Sequence, residues 1–287
     1  MRANGAGRLL LCAVLGGVLP WGAAPAGAQP RVDSALSAEG ARQLSESARQ
    51  AFLRENFSQA TAEARRALAA NPDDALANAV LGSAQGVLAL QGQVFGNVLF
   101  RDLRVQGPDI VEARRLLEHA LELDPQLALA HNGLGITLVG AGRLAAARVE
   151  FERALALDPL AAAAHSNLAF VHWQRGGLLE AEEHYRQAIR LDPASAVARN
   201  GLANVMASQG RYAEAAEACR EAIARYRFQD RVLATFYVNL AVALHQQGNN
   251  KAAREAVATA KSLGLVDHPA YLAIGGAGRV DSPALRP

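Results

Sequence analysis

The chain has 287 residues, 51% of them hydrophobic and 20% charged, with 29 basic against 27 acidic side chains. That balance supplies enough apolar surface for a substantial core and excludes a chain disordered throughout. Aromatics are only 5%, Ala and Leu carry the apolar total, and no Val/Ile/Thr-rich run points to a sheet, so the composition predicts an all-α fold.

Residues 1–28 have the pattern of a secretory signal peptide. Arg2 and Arg8 give a positive start, Leu9 to Leu19 an apolar stretch, and Pro20 a break before the small-x-small sequence Ala26-Gly27-Ala28. Cleavage is expected before Gln29, giving an exported product, periplasmic or secreted. The alternative is a chain anchored in the membrane by an uncleaved N-terminal segment, against which Pro20, Pro25 and several glycines argue. Removing the segment leaves 27 charges of each sign. The mature chain then has no basic excess to attract nucleic acid or an anionic membrane. Cys219 would be its sole cysteine, so no intrachain disulfide is expected.

Residues 29–40 read as a linker. Beyond it, proline sets the ruler: Pro125, Pro159 and Pro193 each follow an aspartate and stand 34 residues apart. A residue before proline disfavours the helical region, so each Asp-Pro closes one helical hairpin and opens the next. In chain order the units are 41–74, 75–127, 128–161, 162–195, 196–233 and 234–267. The first shows Ala60, Ala64, Ala67 and Pro72. The second opens with Leu81-Gly82 and closes with Ala113, Leu117, Ala120 and Pro125, but Pro72 to Pro125 spans 53 residues. Its excess of 19 residues is expected as an insertion inside the hairpin, near 91–109, punctuated by Gly92, Gly96, Gly107 and Pro108. The third carries His131, Leu134, Gly135, Leu138, Ala147, Phe151 and Ala154. The fourth has His165, Leu168, Ala169, His172, Ala181, Tyr185 and Ala188. The fifth has Arg199, Leu202, Ala203, Met206, Ala215, Cys219 and Ala222, and the sixth Leu240, Ala241, Leu244, Ala253, Val257 and Ala260. Residues 268–287 read as a C-terminal tail, with a short capping turn near its start.

These positions resemble the tetratricopeptide repeat, whose pattern is Trp-x2-Leu-Gly-x2-Tyr in the first helix and Ala-x3-Phe-x2-Ala in the second, with Pro closing the unit. The resemblance implies a right-handed superhelical solenoid of antiparallel helix pairs. Small residues (Gly135, Ala169, Ala203) are expected where the two helices of a unit approach most closely. Phe151, Tyr185 and Cys219 are expected to fill the gap to the next unit.

No catalytic constellation emerges: there is no phosphate loop, nucleophile elbow or zinc-type His/Cys spacing. His165 and His172 lie seven apart on one helix face, which could suit a metal, but both occupy the repeat's aromatic packing slots. Glu180, Glu182 and Glu183 read as a solvated surface. Neither enzyme activity, cofactor nor metal is expected, and any enzyme would be a separate chain.

The resemblance also implies that first helices line a concave groove, at positions 2, 5, 6, 9, 12 and 13 of each unit. Those positions hold Asn132, Asn167, Asn200, Asn204 and Asn239, with Phe170, Trp173 and His245, and no Lys or Arg in the last four units. Lacking cations, the groove does not resemble family members that clamp a C-terminal carboxylate. The recurring asparagines resemble instead a ladder holding an extended peptide by its backbone, since an amide can donate and accept together. Asn costs about 0.5 kcal/mol against Ala within a helix, so helix stability does not explain the recurrence. Trp173 is expected exposed beside them. In the insertion, Phe95, Leu99, Phe100 and Leu103 are too apolar for a free loop and form a second candidate partner-binding element. The expected function is a protein-protein interaction scaffold in an envelope or secreted complex. The alternative is a substrate-recruiting or regulatory subunit of a separate enzyme such as a glycosyltransferase.

Overall fold

The computed structural model describes residues 37–91, 108–228 and 231–265, with 268 and 270–274. The signal-peptide reading therefore lies outside the described residues, as do Phe95, Leu99, Phe100 and Leu103 of the insertion. Helices account for all regular structure among the described residues: α1 (Ala38–Leu53), α2 (Phe57–Ala70), α3 (Ala75–Gln91), α4 (Pro108–Leu123), α5 (Ala128–Gly140), α6 (Leu144–Leu157), α7 (Ala162–Gln174), α8 (Leu178–Leu191), α9 (Ala196–Ser208), α10 (Tyr212–Arg225), α11 (Arg231–Gln246), α12 (Asn250–Ser262) and α13 (Ala270–Ile274). Successive pairs pack as hairpins and each hairpin packs on the next, which makes an all-α solenoid.

The Asp-Pro junctions work through the aspartate. Asp158 and Asp192 have left the helical region, at φ −135° and −128° with ψ 89° and 88°, as a following proline favours. The carboxylates of Asp124, Asp158 and Asp192 each accept the N–H two residues on, from Gln126, Leu160 and Ala194, at 3.0, 3.1 and 3.0 Å. Asn71 before Pro72 does the same for Asp73 at 3.3 Å. A short polar side chain thus supplies an acceptor for the first backbone N–H after the proline, where the helix has ended. Within hairpins, the turn between helices needs a left-handed residue. Gly142, Gly176, Gly210 and Gly248 take φ of +71° to +85°, and in the first unit Glu55 stands at the equivalent place with φ +59°.

Alanines pave the contacts between helices: Ala60, Ala64, Ala113, Ala147, Ala154, Ala169, Ala181, Ala203, Ala215 and Ala253 are all buried. A Cβ on Gly135 would stand 2.4 Å from the Phe151 ring of its own hairpin, and one on Gly82 2.7 Å from Leu117. A Cβ on Gly201 would stand 2.3 Å from Tyr185 of the preceding unit. Small residues thus accept aromatic rings both within and between units. Cys219 is buried in a cluster shared with Val238 and Ala241 of the next unit, and burial pushes its thiol up to about 12.

Two boundaries differ from the sequence reading. α1 begins at Ala38, inside the expected linker, because Ser37 caps it by accepting the Gly40 N–H at 3.1 Å. α11 begins at Arg231 rather than 234, so Leu233 and Phe236 reach a cluster with Ala196 and Ala222. α13 falls at the start of the tail, where a short capping turn is expected, and its Tyr271 and Ile274 are buried in the same cluster as Ala260 and Leu265. The Tyr271 hydroxyl donates to the Leu265 carbonyl.

Candidate functional site

Which helices face inward follows from their contacts. First helices of consecutive units touch one another (α1 with α3, α3 with α5, α5 with α7, α7 with α9, α9 with α11), whereas second helices of consecutive units make no comparable contact. The array therefore curves with its first helices on the inner side, where the candidate groove residues lie.

The asparagines are committed to one another. Asn167 donates its amide to Asn132 Oδ1 at 3.0 Å, and Asn239 donates to Asn200 Oδ1 at 2.9 Å. Both bonds join position 6 of one unit to position 5 of the unit before. Asn132, Asn200 and Asn239 are buried and Asn167 is half-buried. This corrects the reading of an open ladder, since in each pair the amide N–H of one asparagine and the oxygen of the other bridge the joint between units. Asn204 differs: it is half-buried, and its backbone carbonyl accepts the Ser208 hydroxyl.

Trp173 is not an exposed side chain. It is partly buried against the core cluster, and its indole N–H donates to Ser208 Oγ of the next unit at 2.9 Å. Phe170 packs beside it with ring centroids 6.1 Å apart. His245 lies in the last turn of α11 and meets Asn250 Oδ1 at 2.7 Å across the turn to α12. The structure thus brings Phe170, Trp173, Asn204 and Ser208 together on one stretch of the inner face, while His245 belongs to a hairpin turn.

Sequence profiles described as tetratricopeptide repeat match residues 102–162, 133–196, 169–230 and 234–259, together more than half of the chain. The chain belongs to the tetratricopeptide repeat family. No curated protein matches it in sequence. Among solved structures, its fold is similar to that of a chain of the APC/C hetero-tetramer Cut9–Hcn1 (TM-score 0.60, 18% identity, covering 85% of this chain and 50% of that one). It is likewise similar to PilF of Pseudomonas aeruginosa (0.58, 19%, 83% and 98%). A third likeness is to PilW, described as a widely conserved type IV pilus biogenesis factor (0.57, 20%, 82% and 97%).

In this tetratricopeptide array the fourth residue of a unit ties down the proline turn. Asn78, His131 and His165 contact the carbonyls of Pro72, Pro125 and Pro159 at 2.9, 3.1 and 3.2 Å. His131 also meets Glu150 at 2.7 Å. His165 meets His184, at the place equivalent to Glu150, with Nδ1 to Nδ1 3.0 Å. The closely approaching pair is therefore His165 and His184, across the hairpin, rather than His165 and His172; His172 stacks on His184 at 5.7 Å and 17°. Glu182 corrects the solvated reading of its segment. It is buried and bound by Arg186 at 2.6 Å, Arg211 at 2.8 Å and Gln209 at 2.8 Å. Burial pushes its carboxyl upward, but hydrogen bonds from Arg211 and Gln209 and the Arg186 charge outweigh that and hold it below its ordinary value. No described helix is long and apolar enough to cross a membrane.

Proposed function

We propose that this chain is a non-catalytic adaptor that holds an extended, largely uncharged segment of a partner protein along its inner face, in assembly or regulation of an envelope or secreted complex. The observation that carries this reading is the composition of that face from α5 to α11. It has no Lys or Arg, and it presents the half-buried Ile136, Val139, Phe170, Trp173 and Val242 together with Asn204. Apolar and aromatic surface grouped with polar amides suits a peptide backbone and its apolar side chains, and large aromatic residues dominate such binding energies. Asn167 spends one amide N–H on Asn132 and retains its oxygen as an acceptor. The envelope setting is supported by the signal-peptide pattern of residues 1–28. Mass spectrometry of the exported product should give a chain starting at Gln29, and a product retaining Arg2 and Arg8 would overturn it.

The groove is tested with peptides selected from a random library on the intact chain. Affinity is then measured by fluorescence anisotropy for wild type, Phe170→Ala and the outward-facing control Glu183→Gln. Phe170→Ala should weaken binding about 10-fold or more while the control stays within a factor of about two. Equal affinity in all three, with thermal stability monitored alongside, would place the peptide elsewhere.

A further inference from the structure

The fourth unit departs from its neighbour at one pair of positions. In the third unit His131 faces Glu150, an ordinary histidine–carboxylate contact at 2.7 Å. In the fourth unit the carboxylate is replaced by His184, and two imidazole nitrogens approach to 3.0 Å. His165 Nε2 lies 3.2 Å from the Pro159 carbonyl, which can only accept. That nitrogen therefore carries the hydrogen, so Nδ1 of the neutral ring is an acceptor and His184 Nδ1–H donates to it in the ion-free chain; a bound ion would take that hydrogen's place, leaving His184 protonated at Nε2. A ring whose far N–H is fixed on a backbone carbonyl has the arrangement found in metal-ligating histidines.

The spacing fits a shared ion. Two nitrogens bound at about 2.0–2.1 Å to one centre sit about 2.9–3.4 Å apart for angles between square and tetrahedral. We propose that His165 and His184 form a two-histidine site for a borderline divalent cation such as Zn²⁺, clipping α7 to α8 through Nδ1 of each ring. His172 stacks over one face of the His184 ring, with centroids 5.7 Å apart. Among the described residues no group of three or more His, Cys, Asp or Glu could hold an ion, so water completes the coordination. Imidazole donors select Zn²⁺, Cu²⁺ or Ni²⁺ over Mg²⁺ and Ca²⁺, which prefer oxygen. The site is independent of the groove reading, because it joins the two helices of a single hairpin.

The test uses the full chain without a polyhistidine tag, stripped with EDTA and melted in ZnCl₂ or MgCl₂. At about ten times the dissociation constant, zinc should raise the melting temperature by about 3–6 °C, and magnesium should not. His165→Gln and His184→Gln should each abolish the zinc increment, whatever they do to the starting temperature, and His131→Gln should keep it. In NMR spectra of ¹⁵N-labelled chain, zinc should shift the Nδ1 resonances of His165 and His184. The proposal is overturned if wild type shows no zinc increment, if the increment survives either substitution, or if zinc moves only other histidines.

Discussion

Replacing Gly201 by alanine sets two well-understood effects against each other. Gly201 lies inside α9, where alanine should gain about 0.5–1 kcal/mol through helix propensity. Its Cβ, however, would stand 2.3 Å from both Cε1 and Cζ of Tyr185 and 2.7 Å from the hydroxyl oxygen. Carbon atoms in contact prefer about 3.5–4.0 Å, so the ring must retreat by more than about 1 Å. Tyr185 is 3% exposed and has little room to do so. Overpacking of this kind costs about 1–3 kcal/mol, and a direct clash on a rigid ring belongs toward the upper end. The net expectation is a loss of about 1–2 kcal/mol, or about 3–6 °C in melting temperature for an array of this size. Thermal melts followed by circular dichroism measure it. With Tyr185→Leu in the background, the same Gly201→Ala change should become neutral or stabilising, because the ring is gone. A higher melting temperature for Gly201→Ala alone would refute the packing of the fourth unit on the fifth.

Two further substitutions probe local features. Glu182→Gln should cost about 1–3 kcal/mol at neutral pH by disrupting the buried contacts with Arg186, Arg211 and Gln209, whereas Glu183→Gln should shift stability by under about 0.5 kcal/mol. Because the Glu182 carboxyl is held below its ordinary value, its contribution is present above the unfolded carboxylate pKa and lost as pH falls through the folded one, so urea titrations at acid pH should find the variants converging. Glu55→Gly should raise the melting temperature by about 1–3 °C by relieving a left-handed non-glycine residue in the first hairpin turn, and a lower melting temperature would show that the Glu55 side chain contributes more than the backbone strain costs.

The repeat itself was legible because its punctuation is chemical: Asp before Pro must leave the helix, and the carboxylate then caps the turn. Helix starts at Ala75, Ala128, Ala162 and Ala196 fall where that ruler places them. The asparagines were located correctly and assigned the wrong partner. Sequence identifies the face a residue occupies, but the stagger between units decides that position 6 of one meets position 5 of the last. That stagger turned a presumed ladder into interlocked pairs. Trp173 was misjudged for the same reason, since Ser208 lies one unit away. The His165–His184 pair was missed because its members are on different helices. The 19-residue separation shared with His131 and Glu150 was the available signal. Glu182 looked solvated because the two arginines and the glutamine that hold it come partly from the following unit.

Cys219 gives the C-terminal end of the array an internal clock. A thiol 1% exposed, with its ionisation pushed up to about 12 by burial, offers neither access nor nucleophile while the fifth and sixth units stay joined. Alkylation at this site must wait for α11 and its neighbours to lift away from α10. When closing is faster than the reagent, the reaction rate is therefore proportional to the population of that opened state. Because each unit of a solenoid rests only on its neighbours, one end can peel while the rest stays folded. Modification of Cys219 at temperatures far below the melting transition would register such peeling one molecule at a time, without any change in bulk helicity.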